Sequence, residues 1–161
     1  MTTAIYPGSF DPVTKGHLNI IQRASRIFDR LVVCVMVNVD KRPMFSSEER
    51  VDFIRRVTKG LDNVTVDSSS DLLAEYAARN GINVVVKGLR AATDFEKEFQ
   101  MALINHKLNP SLDTMFLTSE HQFMYLSSSV VKELGSHGTD LSDFLPEEIM
   151  PDCIKRMNEP V

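Results

Sequence analysis

The sequence predicts an α/β fold: one parallel sheet of five strands, doubly wound with helices on both faces. Strand-like and helix-like stretches alternate five times, the pattern of parallel strands joined by right-handed crossovers. Two of the strand-like runs, 31–37 and 82–86, are almost continuously apolar and β-branched, as strands buried on both faces are. Capping residues and Gly or Asn-Pro stops punctuate the helical stretches between them.

The first strand is the apolar run 4–6, ended by Pro7 and Gly8. Leu18, Ile20, Ile21, Ala24, Ile27 and Phe28 recur at helical spacing, so a helix starts around 14–17 and ends near Asp29 and Arg30. The second strand, 31–37, exits into a loop with two cations, Lys41 and Arg42, and then Pro43, Met44 and Phe45. Ser46 and Glu49 form a capping box that opens a helix to about Lys59. Residues 63–67 make a short third strand. Ser70 or Asp71 caps the next helix, which runs to Asn80 and stops at Gly81. The fourth strand, 82–86, leads straight into Lys87, Gly88, Leu89 and Arg90. A long helix over 93–107 ends at Asn109 and Pro110, and 114–118 is the fifth strand. After the loop 119–126, Ser127, Ser128 and Ser129 open a helix over 130–134, closed by Gly135. From about residue 140, short helices punctuated by Pro146 and Pro151 are expected to pack on the outside. Met36, Phe99 and Met101 suit either the core or a subunit interface.

At 161 residues the chain fits a single domain, 1–161, long enough to bury a core. A formal net charge of −4 argues against a protein that coats nucleic acid or an anionic membrane with its whole surface, so neither is expected as a partner. Cys34 lies in an apolar strand and Cys153 near the C-terminus, which suggests neither a disulfide framework nor a zinc site. No signal-peptide pattern is read before the first strand and no apolar run approaches membrane length. A cytoplasmic location is the expectation.

In parallel α/β sheets, ligands bind beyond the carboxyl ends of the strands, where the strand order reverses. Three strand exits bring phosphate-binding chemistry to that edge: the turn 8–17, the Lys41–Arg42 loop, and Lys87 to Arg90. A serine-rich helix start follows the fifth strand. The turn 8–17 is neither a P-loop nor G-x-G-x-x-G. It joins a strand to a helix N-terminus, whose free N–H groups and positive end suit an anion. His17 sits in that first turn, after Gly16. The positive helix end disfavours its imidazolium, so His17 is expected to stay neutral and donate one N–H; the alternative is a solvent-facing histidine. Lys41 alone reads as a solvated loop residue. Arg90, beside Gly88 and Lys87 at the mouth of a buried strand, reads as a ligand contact, since its fork holds two phosphate oxygens at once. Ser128 and Ser129 read as N-caps, a role compatible with phosphate binding. No nucleophile–base pair is evident: His106, His121 and His137 are scattered without metal-ligand spacing, and Ser9 is outside any G-x-S-x-G. The chemistry this set supports is transfer at phosphorus by positioning and charge stabilisation, without a covalent intermediate.

Gly8-Ser9-Phe10-Asp11-Pro12 followed by Thr14-Lys15-Gly16-His17 resembles the (T/H)xGH nucleotidyltransferase superfamily. Further matches narrow the resemblance to the bacterial phosphopantetheine adenylyltransferase family. They are Lys41 with Pro43-Met44-Phe45, Gly88-Leu89-Arg90-Ala91 with Asp94-Phe95-Glu96, and Ser127-Ser128-Ser129-Val130-Val131-Lys132-Glu133. The likeness spans residues 4 to about 146. It implies a Rossmann-like fold and transfer of the adenylyl group of ATP to 4′-phosphopantetheine, giving dephospho-coenzyme A and pyrophosphate. Mg²⁺ is the implied cofactor, held mainly by the ATP phosphates rather than by protein ligands. The resemblance implies ATP contacts at Ser9, Phe10, His17, Gly88, Leu89, Arg90 and Glu98, and along Phe123, Met124, Tyr125, Leu126, Ser127, Ser128 and Ser129. It implies acceptor contacts at Ser9, Lys41, Leu73, Lys87 and Asn105, and makes His17 the transition-state stabiliser. A homohexamer and feedback inhibition by coenzyme A are also implied. Two positions depart from the family pattern: Lys87 is often arginine there, and Lys97 stands where an aromatic residue is usual. The competing readings are another small-molecule nucleotidyltransferase of the superfamily, such as a nicotinamide mononucleotide adenylyltransferase, and a non-catalytic nucleotide sensor on the same scaffold.

Overall fold

The computed structural model describes residues 1–160. Strands and helices alternate as β1 (Thr3–Gly8), α1 (Lys15–Ile27), β2 (Arg30–Met36), α2 (Ser47–Val57), β3 (Val64–Ser69), α3 (Leu73–Arg79), β4 (Val84–Leu89), α4 (Ala92–Leu108) and β5 (Asp113–Thr118). Two more helices, α5 (Ser128–Ser136) and α6 (Met150–Met157), complete the chain, after 3-10 turns at His121–Phe123 and Glu147–Ile149. The five strands form one sheet in the order β3-β2-β1-β4-β5, every neighbouring pair parallel. This is the Rossmann-like, doubly wound architecture, and its strand order reverses between β1 and β4.

That reversal is also where the sheet splits. β1 pairs with β2 from Thr3↔Arg30 to Gly8↔Val35, but with β4 only at Ala4↔Val84 and Ile5↔Val85. Past Ile5 the two strands part and a cleft opens. The first strand therefore does not end at Tyr6: pairing with β2 carries it through Pro7 and Gly8, where the ladder to β4 has already stopped.

Side chains alternate across β1 to feed two cores. Ala4 and Tyr6 join Leu31, Val33 and Val35 against Ile21 of α1, Ile54 of α2 and Val131 of α5. The C-terminal segment sends Leu141, Leu145, Ile149 and Cys153 into this same core. Ile5 faces the other way, with Val32, Cys34 and Val85, against Ala74, Tyr76 and Ala77 of α3. Met36 packs against this second core, whereas Phe99 and Met101 stay exposed on α4 beside Phe95, Leu103 and Ile104. Among the described residues no helix is long and apolar enough to cross a membrane.

Side-chain caps set three of the six described α-helix starts, those of α1, α2 and α5. Glu49 N–H donates to Ser46 Oγ at 3.1 Å and Ser46 N–H to Glu49 Oε2 at 2.8 Å, the expected capping box. Gly81, at φ +64°, ends α3 as expected. Two expectations are corrected. Neither Ser70 nor Asp71 caps α3; Leu72 holds the cap position, and the Asp71 carboxylate accepts from the Ser69 hydroxyl and pairs with Arg79. Gly135 does not close α5. It is buried inside the helix against Met157 and Leu141, and the left-handed residue beyond the helix end is Gly138, at φ +73°.

Candidate active site

The cleft between β1 and β4 is lined by the turn after β1, the exit of β4, Glu98 of α4 and the approach to α5. Phe10, His17, Lys87, Gly88, Arg90, Glu98, Phe123, Leu126, Ser127 and Ser128 meet there, drawn from four separate stretches of chain. Tyr6, Pro7, Gly8, Thr14, Gly16, Ile20 and Ser119 complete the lining.

The turn holds a strained residue. Phe10 adopts φ +48°, a left-handed conformation that costs a non-glycine residue about 1–3 kcal/mol unless its surroundings impose it. Its ring lies over Gly8, where an added Cβ would lie 3.0 Å from the ring edge, so a larger residue there would have to push the ring by a few tenths of an ångström. The ring also meets Tyr6 at 5.3 Å and His17 at 5.0 Å, both edge-on. Tyr6 is buried, which pushes its phenol well above the usual range and keeps it neutral. Arg50, itself buried, donates from Nη1 to the Ser9 carbonyl at 3.0 Å and fixes the turn from below.

His17 occupies the third position of α1 and takes the place a glutamate would have in a capping box. Thr14 N–H donates to His17 Nδ1 at 3.0 Å, and His17 N–H donates to Thr14 Oγ1 at 3.3 Å. A ring nitrogen that accepts a backbone N–H carries no proton, so the proton of the neutral ring is on Nε2. Burial lowers the His17 pKa to about 4, with Arg90 and Lys87 pushing the same way. The ring is thus a neutral N–H donor at the head of a helix.

Cations and carboxylates pair on the β4–α4 side of the cleft. Lys87 Nζ sits 3.2 Å from Glu98 Oε2, and Arg90 Nε lies 3.2 Å from Asp94 Oδ2. Arg90 also donates from Nη1 to the Leu126 carbonyl at 2.9 Å, tying the β4 exit to the loop before α5. A Cβ on Gly88 would lie 3.2 Å from Ile20 Cγ1, so β4 passes closely over α1 at this point. Ser127 caps α5 through the Val130 N–H at 3.2 Å, and Ser128 Oγ donates to the Pro12 carbonyl at 2.8 Å. The helix N-terminus that opens on the cleft is thereby fixed to the histidine turn.

The remaining expected residues border the cleft or lie apart from its lining. Ser9 is exposed at the turn, Leu89 ends β4 half-buried, and Met124, Tyr125 and Ser129 are exposed around the start of α5. Lys41 is exposed on the loop after β2, Leu73 starts α3 half-buried, and Asn105 is buried on α4. Lys97 is exposed, a solvated position on α4. Thr14 could be found by its capping role. Tyr6, Ile20 and Ser119 carried no local signal, since only the tertiary fold brings them to the cleft. Among the described residues no cluster of three or more metal-ligating side chains occurs, and Glu98 is the carboxylate that lines the cleft.

A family model described as cytidylyltransferase-like matches residues 5–134. The chain is 52% identical over 159 residues to a phosphopantetheine adenylyltransferase of Caldanaerobacter subterraneus subsp. tengcongensis, covering 99% of both proteins. It is 50% identical over 158 residues to a phosphopantetheine adenylyltransferase of Clostridium botulinum strain 657, covering 98% of this chain and 96% of the relative. A solved structure of a bifunctional NMN adenylyltransferase/ADP-ribose pyrophosphatase from Francisella tularensis, with AMP and a manganese ion, superposes with a TM-score of 0.70. That match covers 98% of this chain and 49% of the other, and at 16% identity it bears on the fold alone.

Proposed function

The chain belongs to the phosphopantetheine adenylyltransferase family, among the cytidylyltransferase-like proteins, and on that premise we propose how its cleft works. The protein transfers the adenylyl group of ATP to 4′-phosphopantetheine, giving dephospho-coenzyme A and pyrophosphate, a step of coenzyme A synthesis. The observation that carries the mechanistic reading is the neutral His17 ring at the head of α1, its Nε2–H free to donate, in a cleft that also holds Lys87, Arg90 and the start of α5.

ATP would lie along Ser9, Phe10, His17, Gly88, Leu89, Arg90, Glu98 and the segment from Phe123 to Ser129. The acceptor would engage Ser9, Lys41, Leu73, Lys87 and Asn105, its phosphate held by the two lysines. An oxygen of that phosphate attacks the α-phosphorus in line as the bond to the β-phosphate oxygen breaks, and pyrophosphate leaves. His17 donates its N–H to the phosphate oxygens as charge builds, assisted by Arg90 and the N–H groups that open α5. The donor set suits a cation that enters with ATP, because Mg²⁺ is commonly bound by phosphate oxygens, water and one or two carboxylates. Glu98 is the carboxylate that could reach it, and the chemistry the ion would supply is neutralisation of phosphate charge.

A homohexamer is part of the same proposal. The exposed apolar side chains of α4, Phe95, Phe99, Met101, Leu103, Ile104 and Leu108, support burial against other copies. Coenzyme A, which contains both the adenylyl and the pantetheine parts of the product, is proposed to bind the same cleft as a feedback inhibitor. The reaction is assigned to the cytoplasm, in keeping with two cysteines, Cys34 and Cys153, that are free and buried.

Pyrophosphate release from ATP and Mg²⁺ tests the reading, with 4′-phosphopantetheine and nicotinamide mononucleotide offered separately as acceptors. Turnover with phosphopantetheine alone is expected. Turnover with nicotinamide mononucleotide alone would replace the substrate, and none with either would overturn catalysis.

A further inference from the structure

The Asp11 carboxylate has no part in the chemistry above, yet it is buried at the centre of the ligand-binding elements. It is 7% exposed and lies in the turn between β1 and α1. Phe45 N–H donates to Oδ1 at 2.9 Å, and Met44 N–H donates to Oδ2 at 3.0 Å. Lys132 of α5 brings its Nζ to the same Oδ2 at 3.0 Å. Resting on the adenylyltransferase reading, we propose that Asp11 is a positioning residue that couples the acceptor site to the ATP site.

The coupling follows from what each partner carries. Met44 and Phe45 end the loop that bears the exposed Lys41, whose tip is held by short-range bonds, Lys41 N–H to the Asn38 carbonyl at 3.2 Å and Asp40 N–H to Asn38 Oδ1 at 3.0 Å. The downstream end of this loop is fixed from two sides, by Asp11 and by Arg156, whose Nη1 donates to the Met44 carbonyl at 2.7 Å. Hydrogen bonds from backbone N–H groups and an ammonium to one carboxylate are charge-assisted and short, so they fix geometry as well as add energy. Lys132 lies on the helix whose N-terminus opens on the cleft, and Ser128 of that helix is bonded to Pro12, the residue after Asp11. One carboxylate therefore ties the Lys41 loop, the histidine turn and α5 into a single unit. A shift of about 1 Å in such a unit can cost on the order of a hundredfold in rate, without any contact to substrate being removed.

Asp11→Asn keeps the shape and turns one acceptor into a donor, which must then face the Phe45 N–H, or the Met44 N–H and Lys132. Lys132→Met keeps both loop bonds and removes the link to α5. The readout is the dissociation constant of 4′-phosphopantetheine with and without saturating α,β-methylene ATP, taken by calorimetry on the wild type and both variants. Amide exchange at Met44 and Phe45 is followed alongside. In the wild type the two constants should differ by about fivefold or more, the usual range for coupled sites, and in both variants their ratio should move towards one. Exchange at Met44 and Phe45 should quicken about tenfold or more in Asp11→Asn, with that of β2 unchanged. A wild-type ratio of one, or variants that keep the wild-type ratio, overturns the coupling. Should Asp11→Asn not fold, Lys132→Met carries the same test on a partly exposed side chain. A wild type that binds no phosphopantetheine contradicts the function itself, and the exchange contrast at Met44 and Phe45 still decides whether Asp11 holds the loop.

Discussion

The backbone N–H of Thr14 donates to Nδ1 of His17 across 3.0 Å, and this bond decides which ring nitrogen can act. With Nδ1 engaged as an acceptor, the proton of the neutral ring is on Nε2, where it can be donated. The same bond is lost if Nδ1 is protonated, so it works with burial and the nearby cations to keep the ring neutral.

Nitrogen-15 NMR should accordingly find His17 as the Nε2–H tautomer at neutral pH, titrating near 4 rather than at the ordinary 6.5. The sign for stability follows from the lowered value. Below 6.5 the unfolded chain takes up this proton before the folded one does, so the contribution of His17 is full above 6.5 and is lost as pH falls towards 4. Chemical denaturation of the wild type should weaken across that window by more than it does for His17→Gln. A His17 resonance titrating near 6.5 would contradict both statements.

Lys87 makes a 3.2 Å ion pair with Glu98 at the exit of β4. Lys87→Met should raise the KM for phosphopantetheine by roughly ten- to a hundredfold, the loss of one hydrogen bond to a charged group. Because the lysine acts as a point charge, Lys87→Arg should retain most of the activity. Steady-state kinetics with each substrate varied in turn checks this; an unchanged acceptor KM in Lys87→Met would remove the residue from the acceptor site.

What could be read in advance was set by short-range chemistry. The Ser46–Glu49 box, the Gly81 stop and the Thr14–His17 helix start depend on residues within a few positions of one another, so the sequence displays them. The apolar bodies of β1 and β4 could be found because buried parallel strands are continuous apolar runs, but not their ends: β4 runs on through Lys87 and Gly88 to Leu89, paired with β5. Other features depend on partners far along the chain. Pro7 and Gly8 remain in β1 because β2 pairs with them, and Asp71 serves Arg79 instead of capping α3. Gly135 has the composition of a helix stop but is packed against Met157 of another helix. Asp11 meets Met44, Phe45 and Lys132 across separations of 33, 34 and 121 residues, which no local pattern reports.

Gly135→Ala tests the packing role. A Cβ there would overlap Met157 Sδ and come within 3.2 Å of Leu141 Cδ1. Overpacking of this kind costs about 1–3 kcal/mol, against a gain of about 1 kcal/mol in helix propensity. The net loss should be on the order of 1 kcal/mol, seen as a Tm lower by roughly 2–4 °C in calorimetry. A higher Tm would mean that the Met157 side chain swings away freely and that the glycine is not needed for packing.

The most direct measurement is the turnover of His17→Ala with ATP, Mg²⁺ and 4′-phosphopantetheine, beside its dissociation constant for ATP. If the ring stabilises charge in the transition state, kcat should fall by about 3–4 kcal/mol in barrier terms, on the order of a thousandfold. ATP affinity should stay within about tenfold of the wild type, because the interaction is strongest in the transition state. Near-full turnover in His17→Ala would contradict the role given to the histidine.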